Sequence, residues 1–169
     1  LVETDILNRT YQYNSNEFSG EGDIDDQKLR KYRLALSCTG EYSQNFAGNG
    51  TIAQQKTNVL SAMVTSINRV NEIYERDLGI RLEFIPNNDE IIYLDPSTDP
   101  WQNEFNTTTA VTIDNVIGVE NYDIGHNYND SGGGSAGCLG CVCSSSSQSN
   151  FHKGRAYTGS GNPLSLIHI

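Results

Sequence analysis

The clearest pattern in the chain is an apolar stripe that repeats every three or four residues between Leu60 and Tyr74. This spacing is typical of one face of an α-helix. Thr51 and Gln54 have the spacing of a capping box, and Gly79 is a typical C-terminal cap. The pattern therefore predicts a helix of about seven turns, with a buried stripe made of Leu60, Met63, Val64, Ile67, Val70 and Tyr74.

Two segments beside this helix alternate apolar and polar residues, as β-strands do. They are residues 31–37, which end before a Cys-Thr-Gly turn, and residues 80–85, which Pro86 ends. A strand, a long helix and a second strand with short joints form a crossover unit, so we expect the two strands to be parallel and adjacent. Residues 91–94 are a candidate extension of the sheet, and residues 113–119 suit a short amphipathic helix.

Three of the four cysteines lie in a glycine-rich stretch, residues 121–143, and the fourth, Cys38, follows the first predicted strand. A disulfide from Cys38 to one of the three, with Cys143 as the candidate, would tie that strand to the glycine-rich stretch. The alternative is metal binding by Cys138, Cys141 and Cys143. A structural zinc site normally has a fourth ligand at matching spacing. The sequence leaves both interpretations open.

Composition and charge exclude several classes of function. The 169 residues include 11 Lys and Arg against 21 Asp and Glu, a net charge of -10, and binding to a nucleic-acid backbone needs clustered basic residues. No apolar run approaches the roughly 20 residues that cross a membrane. The length suits one domain. Residues 1–30 are polar and without period, which predicts a linker or the end of a preceding region, and the true amino terminus is expected upstream.

Three separated segments, taken together, resemble a known family. They are residues 32–42 (YRLALSCTGEY), 122–126 (YDIGH) and 132–137 (GGGSAG). The combination is similar to bacterial members of the reprolysin (adamalysin-like) branch of the metzincin zinc peptidases, over about residues 31–163. The resemblance implies a mixed α/β (α+β) fold. It would be an incomplete zincin-like N-terminal subdomain with long helices and a mixed twisted sheet, built from strands at 122–128 and 153–158 and an antiparallel edge strand at 135–142.

The resemblance also implies an activity. The parent protein would be a secreted or extracellular zinc endopeptidase that hydrolyses peptide bonds with metal-activated water. Its peptide or protein substrate would add as a strand to the open sheet edge, where Gly137 and Gly140 allow close approach. The expected substrate-binding residues are Ser135, Ala136, Gly137, Cys138, Leu139, Gly140, Cys141 and Val142. Without the resemblance, the same stretch would be interpreted as a glycine-rich hairpin turn without a ligand.

The zinc motif of that family, HExxHxxGxxH, does not occur in the 169 residues. His126 falls on a strand position and is predicted to be structural, whereas His152, beside Lys153, is predicted to lie at the surface. No catalytic residue and no metal ligand is therefore expected in this chain. Zinc is expected in the parent protein, and the chain as given is expected to be inactive.

The last six residues, 164–169, read as translated sequencing adapter, which makes a truncated fragment the expected origin of the sequence. A natural pseudopeptidase is one alternative. The other is a non-enzymatic extracellular metal-binding or adhesion module built on the three clustered cysteines. The sequence gives no indication of oligomeric state or substrate preference.

Overall fold

The structure is a computed structural model that describes residues 27–102, 104–144 and 151–159. The predictions for residues 1–26 and 164–169 fall outside this description. The elements in chain order are β1 (Arg30–Cys38), α1 (Gly40–Gln44), α2 (Ile52–Leu78), β2 (Ile80–Phe84), α3 (Asn106–Ile117), β3 (Ile124–Asn129), β4 (Gly133–Ser135) and β5 (Tyr157–Gly159). Short 3-10 helices occupy Asn88–Ile91 and Val119–Asn121.

The strands form one mixed sheet in the order β2-β1-β3-β5-β4. β1 runs parallel to both β2 and β3, and β3 runs parallel to β5. β4 alone is antiparallel, pairing with β5. The predicted parallel pairing of the first two strands is therefore confirmed, as is a mixed fold with an antiparallel edge.

The long helix α2 has the predicted length and caps. It spans 27 residues, the Thr51 hydroxyl accepts a hydrogen bond from the Gln54 N–H at 3.3 Å, and the Gln54 side chain accepts from the Thr51 N–H at 2.9 Å. Gly79 ends the helix with φ 62°, a left-handed conformation that favours glycine. Val64 lies at the margin of the predicted stripe and is 37% exposed. Within the described part of the chain, no helix is long and apolar enough to cross a membrane.

Helices cover both faces of the sheet, so the fold has three layers. The α2 face buries one cluster, which includes Leu34, Leu36, Leu82, Tyr128, Met63 and Ile67. The α3 face buries a second cluster, which includes Ala35, Ile85, Ile91, Ile113, Ile117 and Tyr122. Successive residues of β1 therefore point to opposite layers, as the alternation of a strand requires.

Two predictions for the segment between β2 and β3 need correction. α3 begins at Asn106, earlier than predicted, because the Glu104 carboxylate caps it by accepting hydrogen bonds from the N–H groups of Thr107 (2.8 Å) and Thr108 (2.9 Å). Residues 91–94 were expected to extend the sheet as a strand. Only an isolated parallel bridge between Ile92 and Cys38 forms there.

A buried side chain completes the hydrogen bonding of β1 where β2 has ended. Asn88 is 1% exposed, and its Oδ1 accepts from the Leu36 N–H while its Nδ2 donates to the Leu36 carbonyl, both at 2.9 Å. The amide of Asn88 therefore replaces a paired strand residue.

Replacing Asn88 with alanine should leave both main-chain groups of Leu36 buried in the core without a hydrogen-bond partner. We expect Asn88→Ala to lower the free energy of unfolding by about 3 kcal/mol, because each unpaired buried group costs about 1–3 kcal/mol. Urea denaturation followed by circular dichroism measures the change. Asn87→Ala, at the neighbouring position where the amide bonds the exposed Glu90 carboxylate, is the matched control and should change stability by less than about 0.5 kcal/mol. Equal effects of the two substitutions would contradict this role of Asn88.

Candidate functional site

The sheet has an edge strand at each end, β2 at one and β4, beside β5, at the other. An antiparallel edge was expected at this place, but the strand is Gly133–Ser135, so Ser135 is the one residue of the expected edge that belongs to it. From Ala136 to Val142 the expected strand is absent. Gly137 and Gly140 have φ values of 60° and 72°, and this left-handed conformation ends an extended strand.

We call residues 136–144 the rim loop. Between the rim loop and strands β3, β4 and β5 lies a groove of about 630 Å³, the edge groove. On the strand side its lining includes Ile124, His126 and Thr158. The expected substrate-binding residues that line it are Ser135, Ala136, Cys138, Gly140, Cys141 and Val142.

The two other expected substrate-binding residues have different surroundings. The α-carbon of Gly137 lies against the Arg155 carbonyl, where a side chain would not fit. Leu139 is 88% exposed at the tip of the rim loop. The glycine at position 137 is therefore required by contact with the protein's own backbone. The expected set is not one continuous strand: most of it forms one wall of a groove.

The expected disulfide between Cys38 and Cys143 is not formed. Cys138 is bonded to Cys141, and both Cys38 and Cys143 are free. Cys38 ends β1 and faces the α2 layer, where it contacts the Ser43 hydroxyl at 3.2 Å, and burial raises its pKa to about 12. Cys143 lies near the other end of β1, since its N–H donates to the carbonyl of Asp123, whose carboxylate pairs with Arg33. Arg33 and Cys38 are five residues apart on the strand, a distance of about 17 Å. That separation is far beyond the reach of a disulfide.

His126 lies in β3, on a strand position as expected. Its Nε2 is 2.8 Å from the Thr158 hydroxyl on β5, and the residue is 8% exposed. Burial lowers the pKa of His126 to about 4, because the interior disfavours the charged imidazolium. The imidazole is therefore neutral at physiological pH and links the two strands behind the edge.

His152 was predicted to lie at the surface, and this is wrong. Its side chain is 11% exposed, and its Nε2 is 2.9 Å from a carboxylate oxygen of Asp114 on α3. Its Nδ1 accepts a hydrogen bond from the Gly154 N–H at 3.0 Å, and the other Asp114 oxygen accepts from the Tyr122 hydroxyl at 2.7 Å. The network ties the segment before β5 to α3. The sequence did not indicate it, because Lys153 and Arg155 close to His152 favoured an exposed segment.

Two cationic residues that sequence reasoning did not assign fix the start of β3. Arg33 on β1 makes a bidentate contact with the Asp123 carboxylate, from Nε to Oδ2 and from Nη2 to Oδ1, which lowers the pKa of Asp123. Lys153 donates from Nζ to the carbonyl oxygens of Val119 and Tyr122 and lies 4.3 Å from the centre of the Tyr122 ring. Burial lowers the pKa of Lys153. These contacts hold β1, β3 and the approach to β5 in one arrangement.

The described residues do not fit a zinc site. No group of three or more His, Cys, Asp or Glu side chains among them could hold a metal ion. His152 uses both ring nitrogens in hydrogen bonds, and the disulfide engages both Cys138 and Cys141. The same disulfide removes two of the three thiolates that a cysteine metal site would need.

The sheet order, the antiparallel edge and the groove beside it define an α/β domain of the zincin-like type. Residues 29–164 match the family described as Metallo-peptidase family M12B Reprolysin-like. The chain belongs to this reprolysin-like metallopeptidase family. No curated protein matches the chain in sequence.

The buried imidazole of His126 should make stability depend on pH in a defined window. Its pKa is 6.5 in the unfolded chain and about 4 in the folded protein, so between these values the unfolded state binds more protons. Stability should therefore fall as the pH drops from about 6.5 to about 4, by about 3 kcal/mol from this residue. His126→Gln, which keeps an amide able to bond Thr158, should lose that part of the dependence.

Urea denaturation of both proteins, near neutral pH and near pH 4, measures the effect. The decisive quantity is the difference between the two pH dependences, since carboxylates contribute equally to both proteins. Parallel pH dependences would show that His126 is not held neutral by the fold.

Proposed function

We propose that this chain provides the scaffold and the substrate-binding edge of a zinc-dependent endopeptidase. The observation that carries the proposal is the position of β4. β4 pairs with β5 on one side, and no strand in the described ranges pairs with its other side. An open strand beside a groove is a place where an extended peptide can bind.

The chemistry of β4 suits a peptide of varied sequence. Gly133 and Gly134 are exposed, and Ser135 is half-buried, so little side-chain bulk separates an incoming backbone from the strand. Main-chain hydrogen bonds to a sheet edge give affinity without demanding particular side chains. Alternate side chains of the added strand would point to the same face, and the adjoining edge groove gives space on one face.

Zinc belongs to the proposed enzyme as a whole rather than to the described residues. Members of this family are metallopeptidases, and the 169 residues contain no HExxHxxGxxH motif. His126 and His152 are engaged with Thr158 and Asp114. We therefore assign no step of the hydrolysis to a residue of this chain. Its residues would position the peptide.

We further propose that the enzyme acts outside the cell. The support is the disulfide between Cys138 and Cys141. Disulfides form and persist mainly in oxidising compartments.

Backbone N-methylation of a peptide tests strand addition without altering the protein. The probe is a fluorescein-labelled octapeptide from carboxymethylated casein, chosen for measurable binding to the chain by fluorescence anisotropy, together with eight versions that each carry one N-methyl group. Only every second N–H of an added strand faces the sheet. We expect methylation at alternate positions to weaken binding about tenfold, the loss of roughly 1.4 kcal/mol, and methylation at the positions between them to have little effect.

Hydrogen exchange locates the bound peptide on the protein. Residues 133–135 should exchange more slowly with peptide bound, whereas the solvent face of α2 serves as the internal control and should be unchanged. Equal effects of N-methylation at all positions, or protection confined to another surface, would refute strand addition at β4.

Zinc stoichiometry separates this proposal from a cysteine-based metal-binding module. The chain, purified without reductant and dialysed against zinc-free buffer, should retain much less than one zinc ion per molecule, because its described residues hold no ligand set. Atomic absorption measures the content. One tightly bound zinc that is lost in Cys138→Ser, and retained in the control Cys38→Ser, would favour the module instead.

A further inference from the structure

The rim loop holds three cysteines in two chemical states. Cys138 and Cys141 share a disulfide with Cα atoms 5.9 Å apart, and Cys143 is an exposed free thiol. The Ser144 N–H donates to the Cys141 carbonyl at 2.9 Å, which closes a turn around Cys143. Two residues along a chain separate Cα atoms by at most about 7 Å. A free thiol therefore lies close to a disulfide within one loop.

Main-chain contacts hold Cys143 in a fixed position. Its N–H donates to the Asp123 carbonyl at 2.9 Å, and the carbonyl of the following residue, Ser144, accepts from the Lys153 N–H at 3.1 Å. Its φ of 62° is uncommon for a residue other than glycine. Arg33 and Lys153 both lie near it. Conformational strain of this kind is often found at functional positions.

We propose that Cys143 exchanges with the Cys138–Cys141 disulfide, so that the rim loop exists in two covalent forms. The Cys143 thiol first loses its proton to solvent, and its sulfur attacks Sγ of Cys138. A Cys138–Cys143 bond forms while the Cys138–Cys141 bond breaks, and the Cys141 sulfur leaves with the electron pair and takes up a proton. One disulfide replaces another, so the step needs no external oxidant or reductant.

Burial of the three cysteines favours attack at Cys138. Cys141 is 3% exposed, and a buried free thiol behaves as a small apolar side chain, so releasing Cys141 leaves it in suitable surroundings. Cys138 is only half-buried and therefore more accessible to an incoming sulfur. Gly140, which lies between Cys138 and Cys141, has open space around it, so the backbone can adjust there.

The exchange would change the shape of the edge groove. Cys138, Gly140, Cys141 and Val142 all line it, so a new disulfide moves one of its walls. The inference rests on the three cysteines and does not require that the edge binds a peptide. Its test is therefore independent of the peptide and zinc measurements.

The Cys141→Ser variant tests whether Cys138 and Cys143 can bond. The variant is equilibrated in buffers of reduced and oxidised glutathione, denatured, alkylated with iodoacetamide and mapped by mass spectrometry. We expect a Cys138–Cys143 disulfide, with alkylation on Cys38. In the control Cys143→Ser, the Cys138–Cys141 disulfide should persist. Separate alkylation or glutathionylation of Cys138 and Cys143 in Cys141→Ser would overturn the proposal.

The wild-type chain provides a second test. With a catalytic amount of reduced glutathione, mapping should find both Cys138–Cys141 and Cys138–Cys143, with matching alkylation of Cys143 and Cys141. Cys38→Ser should give the same distribution, because Cys38 is buried in the core. Finding only the Cys138–Cys141 bond at every glutathione ratio would overturn the exchange.

Discussion

β1 pairs with a strand on each side, and its residues from Leu34 to Cys38 are buried, so the main-chain groups of that half need partners within the protein. Pairing with β2 ends at Leu34 and Phe84, yet β1 continues to Cys38. The chain after β2 satisfies the remaining groups. The Ile85 N–H donates to the Leu34 carbonyl, and the Tyr93 N–H donates to the Cys38 carbonyl. Between them, the Asn88 side chain bonds both the N–H and the carbonyl of Leu36. This requirement forces the segment after β2 to run along β1.

β2 and that segment together occupy one side of β1, and the sheet continues on the other side through β3, β5 and β4. The position of the β4 edge then depends on the contacts that hold β3 and β5 in place. The Arg33–Asp123 pair joins β1 to the start of β3, and Lys153 anchors the approach to β5 on the carbonyl groups before β3. The contacts of Arg33 and Lys153 thus fix the position of an edge strand that itself carries no charge.

The spacing of apolar residues along the chain correctly predicted the elements that bury one apolar face. The stripe and caps of α2 and the alternation of β1 and β2 are local patterns, and the structure has each of them. β3 is different, because its sequence, IGHNYN, is polar although the strand is buried. The Asn127 side-chain amide donates to the Ser37 hydroxyl, and the Asn129 Oδ1 accepts from the Ser131 N–H, so these polar side chains are satisfied. Only the family resemblance could place that strand.

The candidate site was harder to predict because it depends on contacts between distant residues. The partner of His152 is on α3, and nothing near His152 in the sequence indicates it. The pairing of the cysteines depends on the distance in the fold between Cys38, at the end of β1, and the rim loop, and that distance is not visible in their spacing along the chain. The edge strand was predicted too long because the left-handed conformations of Gly137 and Gly140 cannot be read from their identity alone.

The shortness of β4 also bears on how copies of this protein behave toward one another. An open strand edge is a template on which sheets of separate molecules can join and aggregate. β4 offers only three residues, two of them glycines, and the chain turns away at once into the disulfide-closed loop. A transient ligand needs few main-chain bonds, whereas durable association between sheets needs a long edge. A strand of this length therefore favours reversible occupancy over polymerisation.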